Sequence, residues 1–112
     1  MSGITTHVLD TSLGKPVTGV PVSLCLRDSA GFRELGRAVT DADGRVRQFL
    51  PDVALAPGTY RLTFETAAHF RASSRETFFE RVTLEFHVAD AAQHYHVPLL
   101  LTPFGYTTYR GS

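Results

Sequence analysis

The chain has no charge of either sign to spare, because eleven Lys and Arg offset eleven Asp and Glu. Without a positive surplus no long-range field draws it to nucleic acid or to an anionic membrane, so neither is expected as a partner. Cysteine is almost absent. The single Cys25 cannot close an internal disulfide and has no cysteine neighbour with which to hold a metal, so it reads as a small buried hydrophobe on a strand. No apolar run approaches the ~18 residues that span a bilayer. The opening residues, Met1 to Thr6, lack the basic segment and apolar run of a secretory leader, and a cytoplasmic location is expected. Also missing are a glycine-rich phosphate loop, a Gly-x-Ser-x-Gly elbow, a Cys-x-x-Cys pair and a His-Glu-x-x-His helix, which sets aside the chemistries those motifs carry.

What is present suits one folded domain over residues 1–112, with no room for a second catalytic domain. Apolar residues alternate with polar ones from Val20 to Arg27, in Tyr60 to Phe64 and in Val82 to Val88, the period of half-buried strands. Turn residues separate these runs at Leu13 to Pro16, Ser29 to Gly31, Asp41 to Gly44 and Ala56 to Gly58. Short strands with frequent turns predict an all-β sandwich or barrel. The exception is Thr66 to Arg75, whose Ala67, Ala68, Phe70 and Ala72 suit one short helix with Thr66 as N-cap.

From Tyr95 to Thr102 the pattern changes. Val97, Leu99 and Leu101 share one face, yet Pro98 and Leu100 on the other face are apolar too. A strand apolar on both faces asks for cover on both sides, and in a sandwich the second cover points to another subunit. Phe104, Tyr106 and Tyr109 just beyond add aromatic surface that suits an interface, so an oligomer is expected.

Five histidines are the candidates for proton transfer near neutral pH. His69, on the helix, and His87, on a polar strand face, read as solvated surface residues. His94 reads as a turn residue. The pair His94-x-His96 could hold a metal from one strand face, but no acidic or cysteine partner lies nearby in sequence, and no metal is expected. His7, inside the run Ile4 to Asp10, and His96, on the doubly apolar strand, are stranger; each taken singly reads more readily as a hydrogen-bonded structural residue. Arg45 follows the Asp43-Gly44 turn, where a solvated charge is the ordinary reading and an anchor for a planar polar substrate the functional one. The closing Tyr109-Arg110-Gly111-Ser112 reads as a frayed tail or as a polar pocket lining, and spacing does not decide between them.

Four stretches together carry a resemblance: His7-Val8-Leu9-Asp10, Asp43-Gly44-Arg45, His94 to Leu101, and Tyr109-Arg110-Gly111-Ser112. In order and spacing, over essentially the whole chain, they resemble the 5-hydroxyisourate hydrolases, also called transthyretin-related proteins. The closing tetrapeptide is the most specific element; the Gly14 to Val22 pattern is shared by many prealbumin-like sandwiches. One departure is Glu80-Arg81, where relatives often have a proline. The resemblance implies a transthyretin-like Greek-key β-sandwich with one short helix, assembled as a homotetramer, a dimer of dimers with sites at the dimer–dimer interface. It also implies cofactor-independent hydrolysis of 5-hydroxyisourate to 2-oxo-4-hydroxy-4-carboxy-5-ureidoimidazoline in urate degradation. His7, Arg45 and His96 carry over as catalytic residues, and these three with Tyr109 and Ser112 as substrate-binding residues. The competing expectation is a transthyretin-type carrier of a hormone-like ligand.

Overall fold

A computed structural model describes residues 3–49 and 55–112. Among them nine strands and one helix form two facing sheets. The strands are β1 (Gly3–Asp10), β2 (Lys15–Pro16), β3 (Pro21–Asp28), β4 (Gly31–Val39), β5 (Arg45–Val46), β6 (Gly58–Phe64), β7 (Val82–Val88), β8 (His94–Thr102) and β9 (Gly105–Thr108); α1 (Ala67–Ala72) joins β6 to β7. One sheet runs β2-β1-β8-β9, with β5 beside β2 on the same edge of β1, and the other runs β4-β3-β6-β7. Of the all-β sandwich or barrel expected from the alternation, the sandwich is what forms.

The inner faces of β3, β6, β7 and β8 are those the period-2 pattern indicated, and β1 adds a face the pattern did not name. Val22, Leu24, Tyr60, Leu62, Phe64, Val82, Leu84 and Val88 from one sheet meet Ile4, Val8, Tyr95, Val97, Leu99 and Leu101 from the other. Full burial of such a side chain stabilises by about 1.5–3 kcal/mol before ordering costs. Two inward polar groups on β1 are satisfied: Thr6 Oγ1 donates to the Val97 carbonyl at 2.6 Å, and Asp10 takes up both oxygens as described below.

Three expectations need correction. Cys25 is half-buried on the outward side of β3, opposite Arg61 and Glu34, because alternation puts Leu24 and not Cys25 into the core; burial still pushes its thiol up. The helix is shorter than Thr66 to Arg75, ending at Ala72, and Thr66 makes no side-chain cap bond. His69 is not a solvated residue, since its Nε2 lies 2.7 Å from the buried Asp10 carboxylate. That carboxylate also accepts from Arg75 Nη2 at 2.9 Å and from the Ser12 hydroxyl and backbone N–H, tying the helix end to the turn after β1. His87 is exposed, as its place on a polar face predicts. At the proline-free stretch Glu80 pairs with Arg71 and Arg81 with Glu65.

The pairing of β1 with β8 is parallel and joins the two ends of the chain. Its register places Thr5 opposite His96 and His7 opposite Pro98, while antiparallel β5 sets Arg45 opposite His7. Pro98 is already buried and Leu100 half-buried within the single chain, so the outer face of β8 is less bare than its composition suggests.

Candidate active site

Odd-numbered residues of β1 and even-numbered residues of β8 face outward, so Thr5, His7, His94 and His96 share the outer face of the first sheet. There an open cleft of about 320 Å³ is lined by Thr5, Thr6, Arg45, Val46, Arg47, His94, His96 and Ser112. The volume is in the range of small-molecule sites, roughly 300–1,000 Å³.

Arg45 is aimed by the turn before it. Gly44 holds φ at +76°, a left-handed conformation that favours glycine, and a Cβ there would run into the Val8 carbonyl oxygen. The Asp41 carboxylate accepts from the backbone N–H of Asp43 at 2.9 Å and of Arg45 at 3.0 Å, and the Arg45 N–H above all holds its carboxyl below the usual range. Arg47, not Arg45, pairs with the acids of this turn, at 3.6 Å to Asp41 and 3.3 Å to Asp43. Among the described residues the Arg45 guanidinium has no carboxylate partner. A permanent cation left unpaired in a cleft is available to an anionic or polar planar ligand.

His96 is held on three sides. Its Nδ1 lies 2.8 Å from Thr5 Oγ1, its carbonyl accepts from the Gly111 N–H at 2.8 Å, and Gly111 packs on the ring itself. A Cβ on Gly111 would sit 2.6 Å from His96 Cδ2, so the space beside the ring exists only because residue 111 has no side chain. Burial lowers the His96 pKa, and the neighbouring Arg45, His7 and His94 push it further down. A neutral imidazole at neutral pH follows, with Nε2 unclaimed by any protein hydrogen bond among the described residues.

The other expected site residues fall less evenly. His7 pairs with Arg45 in register but does not line the cleft, and its Nε2 donates to the Asp43 carbonyl at 2.8 Å. Ser112 does line it. Tyr109 lies elsewhere, in a separate, more apolar pocket between β7 and the β8–β9 edge with Leu84, Phe86 and Val97. Thr5 was missed in the sequence; a threonine two residues before a histidine gives no signal until the β1–β8 register is known. His94 does not cap a turn through its ring, which meets Thr5 Oγ1 at 2.9 Å. Among the described residues no third His, Cys, Asp or Glu joins the pair in a group that could hold a metal ion.

A two-sheet sandwich of this kind is the fold of both transthyretin and 5-hydroxyisourate hydrolase structures. Residues 4–111 match the HIUase/Transthyretin family, and the chain belongs to it. It is 47% identical over its whole length to the full length of a 5-hydroxyisourate hydrolase from Caulobacter vibrioides. The solved structure of Klebsiella pneumoniae 5-hydroxyisourate hydrolase is 41% identical and superposes with a TM-score of 0.86, covering 99% of this chain and 100% of that one. Transthyretin from Sparus aurata superposes with a TM-score of 0.91 at 26% identity, over 99% of this chain and 97% of the other. The fold alone therefore does not separate hydrolase from carrier. No helix among the described residues is long and apolar enough to cross a membrane.

Proposed function

We propose that this chain hydrolyses 5-hydroxyisourate to 2-oxo-4-hydroxy-4-carboxy-5-ureidoimidazoline in urate degradation, in the outer-face cleft and without metal or organic cofactor. The observation that carries the reading is the pairing of an unpartnered Arg45 with a depressed, still-basic His96 in one polar cleft. The identity to named hydrolases, well above that to transthyretin, points the same way.

In this reading His96 Nε2 takes a proton from water as its oxygen attacks a ring carbonyl, and Arg45 steadies the negative charge gathering on the carbonyl oxygen. The imidazolium then returns a proton to the departing ring nitrogen as the C–N bond breaks. A general base contributes ~10²–10⁴-fold and one charge-stabilising donor ~10²–10³-fold, together near the low end of enzymatic acceleration. His7, whose Nε2 proton is committed to the Asp43 carbonyl, acts by holding the turn that aims Arg45 and by adding to the field at His96. Ser112 contributes a hydroxyl to the cleft wall; Tyr109 reaches substrate only across a subunit boundary.

The working unit is a homotetramer, a dimer of dimers of one-domain chains in the cytoplasm. Support comes from the cleft lying open on an outer sheet face and from Phe104, Tyr106 and Tyr109, which expose 65%, 39% and 55% of their surface. The carrier reading is favoured only by the closer superposition on transthyretin. The test is the ultraviolet decay of 5-hydroxyisourate made freshly from urate, with the product identified by NMR and the protein's mass by light scattering. Rapid decay to the ring-opened acid by a tetramer is expected. A folded tetramer that leaves the decay at its buffer rate would move the assignment to a carrier.

A further inference from the structure

The outer face holds one polar arrangement that the proposed reaction does not use. Thr5 Oγ1 stands between two imidazoles, 2.9 Å from His94 Nε2 and 2.8 Å from His96 Nδ1. Both are ordinary hydrogen-bond lengths, and among the described residues the hydroxyl has no other side-chain or carbonyl partner. His94 does not belong to the proposed chemistry; it opens β8 at the exposed rim, with Arg110 Nη2 donating to its carbonyl at 3.3 Å.

A hydroxyl carries one proton and two lone pairs, which ties the two rings together. If Thr5 donates to His94 Nε2, it has only a lone pair left for His96, whose Nδ1 must then be the N–H. His96 Nε2 is then unprotonated. If instead Thr5 donates to His96 Nδ1, the proton of neutral His96 must sit on Nε2, where it blocks base catalysis. With a hydrogen bond on each side, these are the two arrangements that use the hydroxyl proton. A His96 that acts as base through Nε2 requires the first of them, in which His94 accepts the hydroxyl proton on an unprotonated Nε2.

We infer that His94 is a positioning residue, which through the Thr5 hydroxyl fixes the tautomer of His96 that leaves Nε2 free as the base. The inference rests on the hydrolase reading, in which His96 Nε2 is the base. Without His94, the hydroxyl proton turns to His96 Nδ1 and the Nε2–H tautomer gains. Without the hydroxyl, nothing distinguishes the two nitrogens except the surrounding field. Both side chains line the cleft, but Arg45, the charged anchor for substrate, keeps its place in either case, so the loss is expected in kcat with little change in KM.

The experiment pairs ring ¹⁵N NMR of the intact protein, which separates protonated from unprotonated imidazole nitrogens, with kinetics of 5-hydroxyisourate decay. The wild type is expected to show His96 with protonated Nδ1 and unprotonated Nε2 above neutral pH. His94→Ala and Thr5→Val should raise the Nε2–H signal and lower kcat by about ten-fold and about 10²-fold, placing them at or below the span of a positioned proton-transfer group, with KM held. Thr5→Ser keeps the hydroxyl and should restore both the spectrum and the rate. His96 already in the Nε2–H form in the wild type would overturn the inference, as would an unchanged tautomer and kcat in both His94→Ala and Thr5→Val. A wild type with the expected spectrum but no hydrolysis would refute the hydrolase reading and leave the tautomer assignment standing.

Discussion

Gly111→Ala isolates the geometry at His96 with a single methyl group. The φ of Gly111 is outside the left-handed region, so alanine fits the backbone, and the nearest obstacle is the His96 side chain. The new Cβ would stand 2.6 Å from His96 Cδ2, 3.3 Å from Cγ and 3.4 Å from its Cβ. Carbon atoms rest at about 3.5–4.0 Å, so the ring or the closing segment must give by about 1 Å. The ring is held from its other side by Thr5 and the segment by the Gly111 N–H bond to the His96 carbonyl, so neither yields without loss of one hydrogen bond. Displacing a reacting group by 1 Å costs on the order of 10²-fold in rate, about 2.7 kcal/mol of barrier. The stability cost should stay under about 1 kcal/mol, because the segment is mostly exposed. Stopped-flow decay of 5-hydroxyisourate gives kcat, and urea denaturation gives stability. A Gly111→Ala protein with wild-type kcat would refute the claim that this ring position matters.

Three other outcomes follow from the same contacts. Burial alone would raise the Asp10 carboxyl, but bonds from Ser12, His69 and Arg75 and the charge of Arg75 hold it well below the usual range. Its contribution to stability is present above the unfolded value of about 3.9 and is lost as pH falls below that. Asp10→Asn should therefore lose about 2–3 kcal/mol in urea at neutral pH and show a flatter acid limb; equal loss at all pH values would contradict this. Because Arg45 helps depress His96, the acid limb of kcat should lie below the ordinary histidine value of about 6.5, and Arg45→Gln should move it upward. A rate flat from pH 5 to pH 8 would remove His96 as base. Gly44→Ala puts a Cβ against the Val8 carbonyl oxygen at positive φ and should cost about 2–3 kcal/mol by thermal denaturation, where a neutral result would mean that the turn rearranges freely.

The strands with strict alternation could be read directly, because their inner residues had no other place to go. Strand β4 could not: its outer position gives a burial pattern without period, and Leu35 is an extra residue at the bulge opposite Leu24 and Cys25. Cys25 was misjudged for the opposite reason, since its apolar character outweighed its place in the alternation. At the site, His7, Arg45, His96 and Ser112 were named through motif resemblance, and the fold draws three of them to one cleft. Thr5 depends on a parallel pairing between residues about ninety apart, and the packing role of Gly111 on an antiparallel bridge to His96, neither of which a local pattern encodes. The partnership of His69 with Asp10 is hidden likewise, spanning 59 residues.

In the proposed reaction His96 and Arg45 act together on substrate in the outer-face cleft. The most direct measurement compares kcat for 5-hydroxyisourate decay in the wild type, His96→Asn and Arg45→Gln, all verified to keep the same mass and fold. A fall of at least about 10²-fold in each variant is predicted. Wild-type rates in either would contradict the account.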